Sequence, residues 1–145
     1  MTNINFYCLN EDMFIFFYTL LLKIYESNKK ILIYSTNNDK NRELDLFLWS
    51  YKKTSFLPHL LLNDKNSNRT SIVITDELKN VNNADLLLTS EYIDDGVFLN
   101  SFDKVYYAFD EINIKTARVN WKKYKDKDYN LEYFEKKDGK WDKKA

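Results

Sequence analysis

Short, almost uninterrupted apolar runs, separated by longer polar stretches, are the feature that most constrains the fold of this chain. The clearest run is Lys-Ile-Leu-Ile-Tyr-Ser at residues 30–35, and comparable runs occur at 4–9, 71–75, 85–89 and 104–109. A strand that is apolar on both faces is covered on both sides, which is typical of a parallel sheet. The pattern therefore favours a parallel sheet enclosed between helices.

The stretches between these runs predict the remaining elements. Helices are predicted at residues 11–27, 38–51 and 110–126, a short helical turn at 76–80 and an edge strand at 129–134. This order of strands and helices is typical of α/β proteins. Because no repeat or linker divides the chain, we predict one three-layer, Rossmann-like domain over residues 1–134, with a mostly parallel sheet flanked by helices. Residues 135–145 are predicted to form a charged C-terminal tail.

Size and composition narrow the class of protein. A chain of 145 residues can bury a core of its own, and its single cysteine, Cys8, fits a reducing compartment. The chain has 22 Lys and Arg residues and 22 Asp and Glu residues, so its formal net charge is zero. A domain whose main role is to bind nucleic acid usually has an excess of basic residues, so this balance argues against that role. The apolar stretch 13–22 is shorter than the roughly 20 residues of a membrane span. We therefore expect a cytoplasmic protein without a membrane partner.

Residues that form phosphate-binding, catalytic or metal sites in other α/β proteins are scarce in this sequence. The turn after the first predicted strand, residues 9–12, has no glycine and two carboxylates, which would repel a phosphate. A lone cysteine in a strand, such as Cys8, is usually a small buried hydrophobe. The only histidine is His59, so a zinc site would lack its usual ligands. We predict no catalytic residue, no metal and no cofactor.

The second predicted helix places a tryptophan away from its apolar stripe. Leu44, Phe47, Leu48 and Tyr51 share one side of the helix. Trp49 lies roughly 140° from Leu44 at about 100° per residue. Tryptophan is enriched where proteins bind one another, so Trp49 is a candidate contact residue. The alternative interpretation is a Trp49 side chain covered by the loop that follows it.

The last predicted helix joins an apolar face to a basic one. The apolar set is Ile114, Ala117, Trp121 and Tyr124, and the adjoining basic set is Lys115, Arg118, Lys122 and Lys125. Such a surface suits a short peptide with an apolar anchor and carboxylates, because arginine can hold a carboxylate through two hydrogen bonds. The same lysines could meet phosphates of a nucleic acid, or the helix could simply be amphipathic with a solvated face.

Three segments also carry a family resemblance. They are Asn5-Phe6-Tyr7-x-Leu9, then Leu48-Trp49 followed by Ser55-Phe56-Leu57-Pro58-His59, and Ala117-Arg118-x2-Trp121-Lys122-x-Tyr124. The closing Gly139-Lys140-Trp141-x-Lys143-Lys144 resembles the ending of some branches of the same family. In order and over essentially the full chain they resemble the chi subunits of bacterial DNA polymerase III. The segment from Trp49 to His59 is the most specific of them.

The resemblance implies a non-catalytic subunit that links the clamp loader to the acidic C-terminal tail of the single-stranded DNA-binding protein. It implies that Arg118 is the central contact to that tail. Trp121 stands beside it in the place of a family tyrosine, Lys115 is a looser match to a second basic contact, and Lys122 is a neighbouring lysine. DNA itself would be contacted only indirectly.

The resemblance also implies a second binding surface. By position, Trp49, Phe56 and Pro58 match the surface that faces the psi subunit, or another clamp-loader subunit where psi is absent. Two other functions remain open on the residues alone. One is a direct nucleic-acid-binding module, and the other is a nucleotide-binding α/β enzyme that has lost its glycine signature.

Overall fold

The computed structural model describes residues 2–10, 12–50, 59–61, 71–137 and 140–145. In these ranges the chain forms eight strands and four helices, with a 3-10 turn at Glu111–Asn113. The strands are β1 (Asn3–Leu9), β2 (Ile31–Tyr34), β3 (His59–Leu61), β4 (Ile72–Thr75), β5 (Leu86–Thr89), β6 (Lys104–Asp110), β7 (Asn130–Lys137) and β8 (Lys140–Lys143). The helices are α1 (Met13–Glu26), α2 (Asn38–Ser50), α3 (Gly96–Leu99) and α4 (Ile114–Asp126).

One sheet unites all of the described strands, in the order β3-β4-β2-β5-β6-β1-β7-β8. Every neighbouring pair is parallel except β7 with β8, which is antiparallel. Helix α1 connects β1 to β2, two strands that are separated in the sheet by β5 and β6. The predicted α/β fold with a mostly parallel sheet is confirmed.

Helices cover both faces of the sheet, because successive side chains of each strand point to opposite sides. In β2, Ile31 and Ile33 belong to the apolar cluster that α1 and α2 complete. Leu32 and Tyr34 belong to the cluster completed by α3 and α4. This arrangement explains why the strand is apolar at every position, and it confirms the three layers predicted from that pattern.

Local polar groups set the helix ends. The Asp12 carboxylate accepts hydrogen bonds from the backbone N–H groups of Phe14 and Ile15, at 2.9 and 3.2 Å, and so caps α1. The Asn37 side chain accepts a hydrogen bond from the N–H of Lys40 at 3.1 Å and so caps α2. Helix α1 has 14 residues, and none of the described helices is long and apolar enough to cross a bilayer.

Several elements differ from the pattern that the sequence predicts. The sequence pattern does not predict strand β3 or the four-residue helix α3, and residues 76–80 do not form the predicted helical turn. Strand β7 is not the edge of the sheet, because β8 pairs with it from Phe134↔Lys143 to Lys137↔Lys140. Residues 135–137 and 140–143, assigned above to a charged tail, therefore lie in strands of the sheet.

Buried tyrosines should make the fold sensitive to alkali. Burial raises the pKa of Tyr106 to about 12, and burial also raises the pKa of Tyr107 and Tyr124 above 10.0. Losing these protons is therefore harder in the folded state than in the unfolded state. The stability they contribute is complete below the unfolded pKa and is lost as the pH rises through the raised values.

We expect the thermal midpoint to be steady near neutral pH and to fall steeply above about pH 10. Circular dichroism melts across that range measure it. The Tyr106→Phe variant removes one of the titrating groups and should show a shallower fall. A midpoint that stays constant to about pH 11 would contradict the expectation.

Candidate peptide-binding site

Helix α4 is fixed on the sheet by its apolar face and by two polar contacts. Ala117 and Tyr124 are buried. The Tyr124 hydroxyl accepts a hydrogen bond from the Ile93 N–H at 2.9 Å. The Asn120 side-chain amide donates to the Tyr107 hydroxyl at 2.7 Å. The apolar face predicted for this helix is therefore the face that packs on the core, and these bonds set the direction in which its basic face points.

A pocket of about 220 Å³ lies between α4 and the strands β1, β6 and β7. We call it the α4 pocket. Its apolar lining consists of Phe6, Phe109, Ile114, Ala117, Trp121 and Tyr133. Arg118 borders the pocket from the exposed side of α4. Ala145, which follows β8 in the chain, also borders the pocket. The pocket thus combines an apolar, mostly aromatic interior with one guanidinium group.

Aromatic rings hold the shape of the α4 pocket. The Trp121 ring meets Phe6 edge-on at 5.2 Å between centroids, and it meets Tyr133 edge-on at 6.1 Å. Edge-to-face pairs of this kind are favoured over random contacts. Burial raises the pKa of the Tyr133 hydroxyl, which donates a hydrogen bond to Glu135 at 3.1 Å. The pocket is therefore formed by packed rings before any ligand arrives.

The basic face of α4 is exposed. Lys115, Arg118, Lys122 and Lys125 all lie at the surface. Within the described ranges, none of these four side chains forms a salt bridge, whereas Lys127 at the end of the helix pairs with Asp94. Their charge is therefore available to an anionic partner that reaches this side of the molecule.

The structure brings together two of the four residues predicted for this site. Arg118 and Trp121 both line the α4 pocket, while Lys115 and Lys122 lie on the same helix without lining it. Sequence reasoning did not find Phe6, Phe109 and Tyr133 as pocket residues. Strand alternation could have placed Phe6 on the correct sheet face, but only the strand order shows that β1 lies between β6 and β7.

The other predicted surface lies on α2. Trp49 is 52% exposed, although it takes part in a further interaction, and Leu46 one helical turn before it is 66% exposed. Leu44 and Leu48 are buried, so the stripe predicted for this helix faces the core. Phe56 and Pro58, which were assigned to the same surface, lie outside the described residues. The described part of this surface is the exposed Leu46–Trp49 pair.

The place where a Rossmann-like fold binds nucleotides is occupied here by acidic groups. A crevice of about 360 Å³ at the carboxyl ends of β2, β5 and β6 is lined by two carboxylates, Glu91 and Asp110, and by one lysine, Lys40. The Glu91 carboxylate accepts hydrogen bonds from the N–H and hydroxyl of Thr36, at 2.8 and 2.7 Å. These carboxylates disfavour a phosphate at the position where the fold would otherwise hold one.

Two further features concern catalysis and metal binding, namely the Cys8 thiol and the grouping of metal-ligating side chains. Cys8 is buried, and burial raises the pKa of its thiol, so the reactive thiolate is disfavoured. In the part of the chain that the structure describes, no three or more His, Cys, Asp and Glu side chains are grouped so that they could hold a metal ion. The α4 pocket remains the site with the clearest chemical character.

Comparison with known proteins identifies the same family as the resemblance in the sequence. The family model for the DNA polymerase III chi subunit, HolC, matches residues 1–132. The chain is also 39% identical over 69 residues to a probable DNA polymerase III subunit chi from Rickettsia prowazekii (strain Madrid E). That alignment covers 48% of this chain and 42% of the relative, so it spans less than half of the relative's length. The chain belongs to the DNA polymerase III chi subunit family.

Proposed function

We propose that this protein is a non-catalytic accessory subunit that links the clamp loader of the DNA polymerase III holoenzyme to single-stranded DNA-binding protein. Its family gives it a role in DNA replication and a place in the polymerase complex. The α4 pocket with Arg118 at its border is the observation that supports the link itself. A replication subunit of a bacterial polymerase acts beside the chromosome, so we assign the protein to the cytoplasm.

The chemistry of the α4 pocket fits the acidic tail of single-stranded DNA-binding protein. The interior of about 220 Å³ is large enough for one apolar side chain of a peptide but not for a folded domain. Arg118 can then hold a carboxylate of the same peptide through two hydrogen bonds. Lys115 and Lys122 supply further positive charge along the exposed face of α4. An apolar anchor flanked by carboxylates therefore satisfies the pocket and its surroundings together.

A second partner would use the opposite side of the molecule. Helices α2 and α4 complete different apolar clusters and cover opposite faces of the sheet. The exposed Leu46–Trp49 pair on α2 offers an apolar contact of the kind that forms binding hot spots. We assign this surface, together with Phe56 and Pro58, to the psi subunit or another clamp-loader subunit. Because the α4 pocket and the exposed Leu46 and Trp49 side chains lie on opposite faces of the sheet, we propose that both can be occupied at once.

A titration with a labelled peptide of the single-stranded DNA-binding protein tail tests the link. We expect saturable binding that weakens as salt is added, because exposed charges are screened over about 10 Å at 0.1 M salt. A scrambled peptide of the same composition controls for charge alone. The Trp49→Ala variant is a matched control that removes an exposed tryptophan from the other surface, and it should bind the peptide normally. Absence of binding by a folded protein would refute the proposal.

A further inference from the structure

A second cavity lies on the sheet face opposite to the α4 pocket. It has a volume of about 410 Å³ and runs between α1 and strand β8. Tyr7 and Tyr106 line it from the sheet, Phe16 from α1 and Trp141 from β8. We call this cavity the aromatic groove. Strand β8 lies beyond the residues that the family model matches, so one wall of the groove is not part of the family pattern.

The rings of the aromatic groove are ordered by contacts with one another. Tyr7 stacks on Phe134 with centroids 5.0 Å apart and planes within 12°. Trp141 meets Tyr7 edge-on at 5.1 Å and Phe16 edge-on at 5.5 Å. Trp141 nevertheless remains 37% exposed. The groove thus offers part of the Trp141 ring to solvent on a side chain that is already held in place, with the Lys136 ammonium over the same ring at 5.8 Å.

The border of the aromatic groove is basic. Lys23 near the end of α1, Lys29 before β2 and Lys104 at the start of β6 all line it, whereas Asp103 is the one carboxylate that does. Across the described ranges, none of the three lysines is engaged in a salt bridge. Lys104 lies over the Tyr106 ring at 5.7 Å. The net charge of the whole chain is zero, but the border of the aromatic groove carries a local excess of positive charge.

We propose that the aromatic groove binds a single strand of nucleic acid. Bases stack on aromatic side chains regardless of their sequence, and a neighbouring line of lysines follows the phosphates. The groove has both components within one cavity, and its volume falls in the range of ligand sites. The groove presents an exposed ring beside several lysines rather than an apolar pocket beside an arginine, so it suits stacked bases and phosphates better than the anchored acidic peptide assigned to the α4 pocket. The family resemblance implies only indirect contact with DNA, and this proposal goes beyond that expectation.

The full chain should be titrated at low salt with fluorescently labelled oligothymidylate and, in a separate arm, oligouridylate. We expect the Lys23→Gln/Lys104→Gln double variant to bind about tenfold more weakly, with the slope of log affinity against log salt reduced by about 1.4. The Lys40→Gln/Lys79→Gln double variant removes equal charge from exposed positions outside the groove and should retain the wild-type affinity and slope. Tighter binding in one arm would identify the strand as DNA or RNA.

Stacking is tested separately with Trp141→Leu, which should weaken binding by at least about fivefold while the circular dichroism spectrum stays unchanged. Absence of binding in both arms, or unchanged binding by the Lys23→Gln/Lys104→Gln variant, would overturn the proposal. So would a polyglutamate peptide that displaces the strand at comparable concentration. The Arg118→Ala variant should bind the strand normally, so failure here is distinguishable from failure of the tail-peptide site.

Discussion

Replacing Phe6 with alanine should lower the free energy of unfolding by about 3–5 kcal/mol. Phe6 is fully buried in the centre of the sheet. Its ring stacks on Tyr107 at 4.4 Å and meets Trp121 and Tyr124 edge-on at 5.2 and 6.3 Å. Alanine would leave a cavity that these large rings cannot close without leaving their own positions. Since small domains are stable by only about 5–15 kcal/mol, the loss would take a large share of the total.

Urea denaturation followed by circular dichroism measures the change in unfolding free energy. The matched control is Ile112→Ala, which shortens an apolar side chain that is 90% exposed and should change stability by less than about 0.5 kcal/mol. A loss below about 1 kcal/mol for Phe6→Ala would show that the ring cluster is less tightly packed than its distances indicate. Because Phe6 also lines the α4 pocket, the folded fraction of the variant should bind the tail peptide more weakly.

Replacing Arg118 with alanine should weaken binding of the tail peptide by about tenfold or more, since hydrogen bonds to charged groups contribute about 1.5–3 kcal/mol. The domain should keep its stability, because Arg118 is exposed and has no salt bridge within the described ranges. The Arg118→Lys variant retains the charge but not the planar pair of donors, so it should recover only part of the affinity. Fluorescence anisotropy with the labelled peptide measures all three proteins.

Lys123→Ala is the control on the same helix. Lys123 is exposed, but its ammonium lies over the Tyr92 ring at 4.8 Å, away from the residues that line the α4 pocket. Its removal should leave peptide affinity nearly unchanged. Equal losses for Lys123→Ala and Arg118→Ala would mean that the peptide responds to overall charge, and a wild-type affinity for Arg118→Ala would refute the site assignment.

The secondary structure could be predicted where local patterns are strong. The run Ile31–Tyr34 is apolar on both faces, and it is a central strand covered on both sides. Strand β3 and helix α3 span only three and four residues, too few to show a period. Strand β8 reads Lys-Trp-Asp-Lys and has no buried side chain. Its existence depends on pairing with β7, which is information that its own residues do not carry.

The residues of the α4 pocket, too, could be predicted only in part from the sequence. The periodicity of one helix places Arg118 and Trp121 near each other, and both line the α4 pocket. Phe109 and Tyr133 join them only because β6 and β7 flank β1 in the sheet. Parallel strands are joined by long crossovers, so neighbours in space are distant along the chain. The pocket residues on α4 could therefore be predicted from the sequence, whereas the pocket residues on the strands could not.

The position of β8 has a consequence for how copies of this protein behave toward one another. Without it, the free edge of the sheet would be the eight-residue strand β7, which includes Leu131, Tyr133 and Phe134. A long edge strand with apolar side chains is a template for pairing with a strand of another molecule. Strand β8 replaces that edge with a short one bearing Lys140, Asp142 and Lys143, which resists such pairing. Chains shortened before β8 should therefore associate with one another and lose solubility at high concentration.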